Sequence, residues 1–277
     1  MTLPSIPLAG VIGNPIAHSK SPVLHGHWLK TYDIAGHYVP LEVEADALGD
    51  VLKAMPKMGF VGCNVTIPHK ERVMQFVDQI TDRATLIGAV NTLIFLNDGS
   101  ILGDNTDGYG FIENLCQGAP DWDASVGPAV VLGAGGAARA VVASLLDAGA
   151  PEILLTNRTR VRADKLREDF GARVKVVEWV QAGNILEEAA TLVNTTSLGM
   201  TGKSELRVPM DGLRKETVVT DLVYTPLTTS FLRTANEVGC VTVDGFGMLL
   251  HQAVPGFERW FGRRPVVDDE TRRVVLE

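Results

Sequence analysis

Residues 129 to 149, AVVLGAGGAARAVVASLLDAG, constrain the fold of this chain more than any other stretch. Three apolar residues, Val130, Val131 and Leu132, run into Gly133, Gly135 and Gly136, after which apolar residues resume at helical spacing and stop at Gly149. The pattern reads as strand, glycine turn and helix, the opening unit of a doubly wound dinucleotide-binding sheet. Glycines let such a turn close tightly and let its backbone approach a pyrophosphate. Free N–H groups and the positive dipole end at the helix N-terminus then meet the negative charge. The third glycine of the G-x-G-x-x-G pattern is Ala138.

Downstream, short apolar runs alternate with helical stretches. EILLTN (152–157), RVKVV (173–177), TLVNTT (191–196), TVVTDLVY (217–224) and CVTVDG (240–245) join the first run as a parallel set of strands. Upstream the chain alternates as well. LAGVIG (8–13), HYVPLEV (37–43) and FVGCNVTI (60–67) read as strands, with helices over 23–32, over 46–58 and after His69. AVNTLIFL and SILGD, joined by Asn97-Asp98-Gly99, read as a hairpin. The last thirty residues offer two helical stretches and no strand, so they must pack on a sheet made earlier. The expected architecture is therefore α/β in two domains. Residues 1–106 with 246–277 form a substrate-binding domain with a mainly parallel sheet, and 107–245 form an inserted Rossmann-like doubly wound nucleotide domain.

A net charge of −8 argues against nucleic acid or an anionic membrane as partner. No apolar stretch reaches the ~18 residues that span a bilayer, and the first residues lack the basic start of an export signal. Cys63, Cys116 and Cys240 are widely spaced, which suits free thiols better than disulfides or a zinc site. A cytoplasmic protein acting on a small molecule, as monomer or homodimer, is expected.

A fold that binds NAD offers Asp or Glu to the ribose 2′-hydroxyl about 20 residues past the first glycine. Here the second strand ends in Thr156-Asn157-Arg158-Thr159, followed by Arg160 and Arg162, with no carboxylate. Guanidiniums at that place suit the 2′-phosphate of NADP, which they bind in bidentate fashion. Cations at a helix N-terminus also oppose its dipole, which argues against an idle cluster.

Four polar clusters stand at strand ends of the other domain: HSKS (18–21), NVTIPHK (64–70), GAVNT (88–92) and GDNTD (103–107). Hydroxyls and amides such as Ser19, Ser21, Thr66 and Asn91 suit a polyhydroxylated or carboxylate substrate. Taken singly, several would serve equally as helix caps or turn formers. Lys70 and Asp107 are the ionisable pair, able to position and move a proton at a carbonyl or alcohol if their surroundings tune them. The residues alone do not say which is the formal acid. His18 and His69 lack partners at metal-ligand spacing, so no metal is expected. His69 is expected to cap or pack beside Lys70, and His251 to be structural.

GVIGNPIAHSKSPVLH, NVTIPHK, GAVNT, GDNTDGYG, GAGGAARA, NRT and DGFGMLLHQA resemble, in order and spacing, the shikimate dehydrogenases, over residues 10 to 260. The resemblance implies NADP-dependent, reversible reduction of 3-dehydroshikimate to shikimate. It implies that Ser19 and Ser21 bind the substrate carboxylate. Thr66, Asn91 and Gln252 would meet the ring hydroxyls, and Tyr224 would line the site. Lys70 and Asp107 match the catalytic pair. Gly133, Ala134, Gly135, Gly136 and Ala137 match the pyrophosphate turn, and Asn157, Arg158, Thr159 and Arg162 the adenosine-phosphate site. Asp82, Leu222 and Gly245 occupy further nucleotide positions, with Leu222 expected to contribute packing or backbone contacts. An NAD-preferring quinate/shikimate dehydrogenase and a non-catalytic sensor of shikimate and nucleotide are the alternatives.

Overall fold

The computed structural model describes residues 6–277. Two compact units emerge: one runs to Thr106 and resumes over Gln252–Glu277, and the other is Asp107–His251.

In the first unit β1 (Leu8–Gly13), α1 (Ser21–Thr31), β2 (His37–Glu42), α2 (Leu48–Ala54) and β3 (Gly62–Val65) come first. β4 (Gln79–Ile80), α3 (Asp82–Ile87), β5 (Thr92–Phe95) and β6 (Ile101–Asp104) follow. The strand order is β2-β1-β3-β5-β6-β4. β1 runs parallel to β2 and β3, and β4 parallel to β6, whereas β5 is antiparallel to both β3 and β6. The sheet is thus mixed but mainly parallel, as expected, with three parallel pairs and two antiparallel ones among the described residues. The antiparallel pair of β5 and β6 comes from the Asn97-Asp98-Gly99 turn, which returns the chain at once and leaves no room for a crossover helix. Two details of this unit differ from the sequence reading. The stretch after His69 is a short 3₁₀ segment (Arg72–Phe76) that buries only Val73, too little to support a helical face. The edge strand β4 was not anticipated because two residues carry no periodicity.

The second unit opens with α4 (Asp107–Gly118), then β7 (Ala129–Leu132), α5 (Gly136–Asp147), β8 (Ile153–Thr156), α6 (Arg160–Phe170) and β9 (Val174–Val177). It continues through β10 (Thr191–Asn194), β11 (Val218–Asp221), α7 (Ser230–Val238), β12 (Val241–Val243) and α8 (Phe246–His251). All pairs are parallel, in the order β12-β11-β10-β7-β8-β9. Alternate side chains of β7 leave opposite faces of the sheet. Ala129 and Val131 enter a core with Val141, Leu145 and Phe111 from α5 and α4. Val130 and Leu132 enter a second core with Leu186, Phe231 and Leu232. Burial on both faces explains why the central strands β7, β8 and β10 read as largely apolar runs. The strand order reverses between β7 and β10, the place where such sheets leave a crevice at their C-terminal ends.

The chain leaves the second unit after His251, six residues beyond the expected boundary at 245/246. The cause is α8, which packs on α4. A side chain at Gly247 would collide with Asn114, whose amide donates to the Asp244 carbonyl at 2.7 Å. His251 lies 2.9 Å from the Gln117 side chain, a structural partner within the same unit. The closing helices α9 (Val254–Phe261) and α10 (Asp269–Leu276) belong to the first unit. There Phe257 and Trp260 join His25, Trp28 and Tyr38 in an aromatic cluster, and Trp260 donates to the Leu93 carbonyl at 3.0 Å. Among the described residues no helix is long and apolar enough to cross a membrane.

Candidate active site

Asn91 is the hub of the polar cluster in the first unit. It sits just before β5, buried, and its Oδ1 accepts from the Thr106 backbone N–H at 2.9 Å and from the Thr92 and Thr106 hydroxyls at 2.9 and 3.1 Å. Its Nδ2 points to Gln252 Oε1 at 3.4 Å, so two predicted site residues far apart in sequence come together. Asn64, at the end of β3, donates to the Asn91 carbonyl (3.1 Å) and to Thr92 Oγ1 (3.2 Å), and accepts from the Tyr38 hydroxyl at 2.7 Å. Ser19 Oγ accepts from the Ser21 N–H at 3.3 Å. Buried amides and hydroxyls that satisfy one another in this way are held to one geometry. Thr92 and Thr106 fall in the polar clusters of the sequence without a role of their own, and Tyr38 is missed, because it is an ordinary strand residue until the sheet brings it to Asn64.

Thr66, Lys70 and His69 follow β3 in one turn. The Thr66 N–H donates to Ile12 O at 2.8 Å, and the Lys70 carbonyl accepts from the Val90 N–H at 2.8 Å. His69 is fully buried with Nε2 2.7 Å from the Val43 carbonyl, so it fastens this turn to the chain after β2. Asp104 ends β6, just before the segment Asn105-Thr106-Asp107. Burial opposes its ionisation, yet Arg83, Thr81 and the Asn105 N–H hold its carboxyl below the usual carboxylate range. Asp107 itself opens α4 in the second unit, directly after Thr106. Asp82 is exposed in the first turn of α3, which belongs to the first unit, whereas the glycine turn belongs to the second.

The glycine turn of the second unit has the geometry its residues require. Gly133 has φ +111°, and a side chain there would meet Thr195 Oγ1 at 2.6 Å. The Gly133 N–H is tied to Thr156 O at 2.8 Å. Gly135 is the N-cap of α5 and offers no side chain, so the first N–H groups of that helix, from Gly136 and Ala137 onward, are uncapped and no acid sits in the first turn. A side chain on Gly135 or Gly136 would point into open space, room that a ligand's phosphates fit. Ala138 is fully buried in the core, the close helix–strand contact the third small residue serves.

Beside this turn lies a cavity of about 800 Å³. Gly133, Ala134 and Gly135 line it with Asn157, Arg158 and Arg162 from the β8–α6 junction. Asn157 Nδ2 donates to the carbonyl of Thr159, the N-cap of α6, at 2.8 Å. Thr195 and Thr196 complete that wall from the end of β10. Thr195 donates to Leu132 O at 2.8 Å, and the Thr196 hydroxyl to Asn194 Oδ1 at 2.8 Å. The Asn-Thr-Thr at the end of TLVNTT is the sequence signal that could have found them. The uncapped helix start, the open turn and the basic wall together fit a phosphorylated dinucleotide.

Leu222 and Gly245 also meet. A side chain on Gly245 would strike the Leu222 carbonyl and, at 2.7 Å, that of Asp221. Asp221 is fully buried at the end of β11, accepting from Asn194 Nδ2, the Val223 N–H and the Thr229 hydroxyl. Burial pushes its carboxyl up to about 6 against those three hydrogen bonds. Tyr224, three residues on, is exposed and tilted against the Phe246 ring at 6.2 Å. Among the described residues no three His, Cys, Asp or Glu side chains gather as a metal site, and all three cysteines are free.

Residues 11–93 match the shikimate dehydrogenase substrate binding domain, 121–222 the shikimate/quinate 5-dehydrogenase domain and 245–269 the shikimate 5′-dehydrogenase C-terminal domain. The NADP-dependent shikimate dehydrogenase of Roseobacter denitrificans is 67% identical over 276 residues, covering 100% of both chains. This chain belongs to the shikimate dehydrogenase family. Solved structures agree with that membership. Shikimate 5-dehydrogenase from Thermus thermophilus, in complex with NADP(H) and shikimate, is 37% identical and superposes with a TM-score of 0.85, covering 98% of each chain. Quinate dehydrogenase from Corynebacterium glutamicum, in complex with NAD, superposes with a TM-score of 0.90 at 30% identity, covering 98% of this chain and 99% of that one. Within the shikimate dehydrogenase family the fold therefore does not separate NADP from NAD or shikimate from quinate.

Proposed function

We propose that this chain catalyses the NADP-linked, reversible reduction of 3-dehydroshikimate to shikimate. The observation that carries the cofactor assignment is the end of β8, where Arg158 and Arg162 face the cavity beside the glycine turn and a ribose-binding carboxylate is replaced by Asn157-Arg158-Thr159. Residues to Thr106 and from Gln252 serve the substrate, and Asp107–His251 the nucleotide.

When bound, NADPH supplies the hydride. Gly133 to Ala137 and the start of α5 hold its pyrophosphate, Asn157, Arg158, Thr159 and Arg162 its adenosine phosphate, and Asp82, Leu222 and Gly245 lie at its remaining contacts. Ser19 and Ser21 hydrogen-bond the substrate carboxylate. Thr66, Asn91 and Gln252 meet the ring hydroxyls, and Tyr224 lines the site. Asn91 spends its Oδ1 on Thr92 and Thr106, and its Nδ2 points to Gln252, so the two amides are held side by side. Lys70, aided by Asp107, gives a proton to the C3 oxygen as the carbonyl becomes an alcohol, and takes it back in oxidation.

The test is the absorbance change at the nicotinamide band with shikimate or quinate, each with NADP and with NAD. Shikimate with NADP is expected to have the highest kcat/KM; equal efficiency with NAD, or better turnover of quinate, would overturn the assignment. Lys70→Ala is expected to lower kcat by about 10² or more with a modest change in KM, and a near-normal kcat would remove Lys70 from the chemistry.

A further inference from the structure

We propose that Arg207 is a third cation of the adenosine-phosphate site and selects NADP over NAD through the 2′-phosphate. The proposal rests on the NADP reading above and names a residue far from the β8–α6 junction that carries that reading.

Arg207 lines the same cavity as Gly133, Arg158 and Arg162. It lies in the irregular stretch between β10 and β11, which holds no helix or strand of its own. One side chain anchors it there. Leu206 is 9% exposed and sits in the core with Leu132 and Leu154, while Glu205 and Arg207 on either side are exposed and line the cavity. Burying Leu206 in that core therefore anchors the stretch beside the cavity that both flanking residues line.

Charge decides what that cavity wants. Nearby arginines are neutralised within the protein: Arg160 by Glu178 and Asp164, and Arg139 by Asp169. Among the described residues Arg158, Arg162 and Arg207 have neither an ion-pair nor a side-chain hydrogen-bond partner. Three guanidiniums thus share one cavity with a single carboxylate, Glu205. Like charges held together oppose one another until an anion joins them, and a phosphate monoester near neutral pH carries about −1.5 to −2. The 2′-phosphate is the part of NADP that NAD lacks. A guanidinium fork can hold two of its oxygens at once. Trp179, partly buried on the same wall, offers a flat face beside these charges.

The test uses the full-length protein and calorimetric titration with NADP⁺, NAD⁺, 2′,5′-ADP and 5′-AMP. Arg207→Gln, at an exposed position, is expected to fold normally and to weaken NADP⁺ and 2′,5′-ADP by roughly 5- to 30-fold, the range for one partly screened charged hydrogen bond. NAD⁺ and 5′-AMP are expected to change less than about 2-fold, and the salt dependence of NADP⁺ binding to become shallower. Glu205→Gln is expected to tighten NADP⁺ and leave NAD⁺ unchanged. Equal weakening of NADP⁺ and NAD⁺ by Arg207→Gln, or no weakening of either, overturns the proposal. If Arg158→Ala still discriminates against 2′,5′-ADP while Arg207→Gln does not, the NADP reading survives and Arg207 is refuted. If the unmutated protein binds 2′,5′-ADP no better than 5′-AMP, both fail.

Discussion

Replacing Asp221 by asparagine should change how the stability of this protein depends on pH while leaving its shape intact. The carboxyl is fully buried and pushed up to about 6 by that burial, from an ordinary value of 3.8. In the native state Oδ1 accepts from Asn194 Nδ2 at 2.8 Å and the Val223 N–H at 3.0 Å, and Oδ2 from Thr229 Oγ1 at 2.7 Å. An asparagine with its oxygen in the Oδ1 place keeps both N–H donors satisfied. Its nitrogen then faces Thr229, whose hydroxyl turns to accept, and the displaced hydroxyl proton costs about 1 kcal/mol. The folded-state pKa is above the unfolded one, so folding holds a proton that the unfolded chain has already lost between pH 4 and 6. The stabilisation is complete below pH 3.8 and disappears as pH rises through about 6. At 1.36 kcal/mol per pH unit the loss is about 3 kcal/mol by pH 7. The amide in the Asp221→Asn variant does not titrate, so that loss is absent from it. Urea unfolding of both proteins at steps from about pH 4 to 7.5, followed by circular dichroism and tryptophan fluorescence, measures the difference directly. The variant is expected to start about 1 kcal/mol less stable at the acid end and to finish about 2 kcal/mol more stable at pH 7. Parallel stability profiles across that range would refute the reasoning.

Two further substitutions probe packing. Gly245→Ala would drive a methyl group into the Leu222 carbonyl and to 2.7 Å from that of Asp221; a loss of about 2–4 kcal/mol and a weaker KM for the cofactor are expected, and unchanged thermal stability would show that the loop yields freely. His25 is fully buried, stacked on Tyr38 at 3.8 Å, with neither ring nitrogen hydrogen-bonded and its pKa lowered by burial to about 3. Phenylalanine there removes two orphaned polar atoms, so His25→Phe is expected to raise stability by about 1–2 kcal/mol at pH 7. The gain should widen below about pH 6.5, where the unfolded chain binds a proton that folded His25 refuses. A lower melting temperature at pH 5 would contradict this.

What the residues disclosed and what they hid divides along a physical line. The strand–turn–helix at Gly133, the Asn-Arg-Thr after β8 and the Asp-Gly hairpin between β5 and β6 are each contained in one short stretch, and apolar period and turn chemistry are local properties. The second sheet emerged strand for strand, because burial on both faces makes its central runs largely apolar and the edge strands share the same alternation with helices. The first sheet was harder. The antiparallel pair of β5 and β6 follows from the Asp-Gly hairpin, but the two-residue β4 and the 3₁₀ segment Arg72–Phe76 are too short to register a period. The crossing at His251 depends on Gly247 fitting against Asn114, a contact between helices at opposite ends of the second unit's sequence.

By itself, then, the sequence determined the class of fold, the place of the nucleotide turn, the basic character of its neighbour and the polar clusters that resemble the shikimate dehydrogenases. Only the tertiary structure decided which groups meet. Asn91 gathers Thr92, Thr106, Asn64 and Gln252. Asp221 is sealed between Asn194 and Thr229, and Leu206 anchors the stretch that lines the cavity of Arg158 with Arg207. Neighbouring residues set the local path of the backbone. Convergence of distant side chains is set by strand order and by the cores that bury their neighbours, and no spacing along the chain records it.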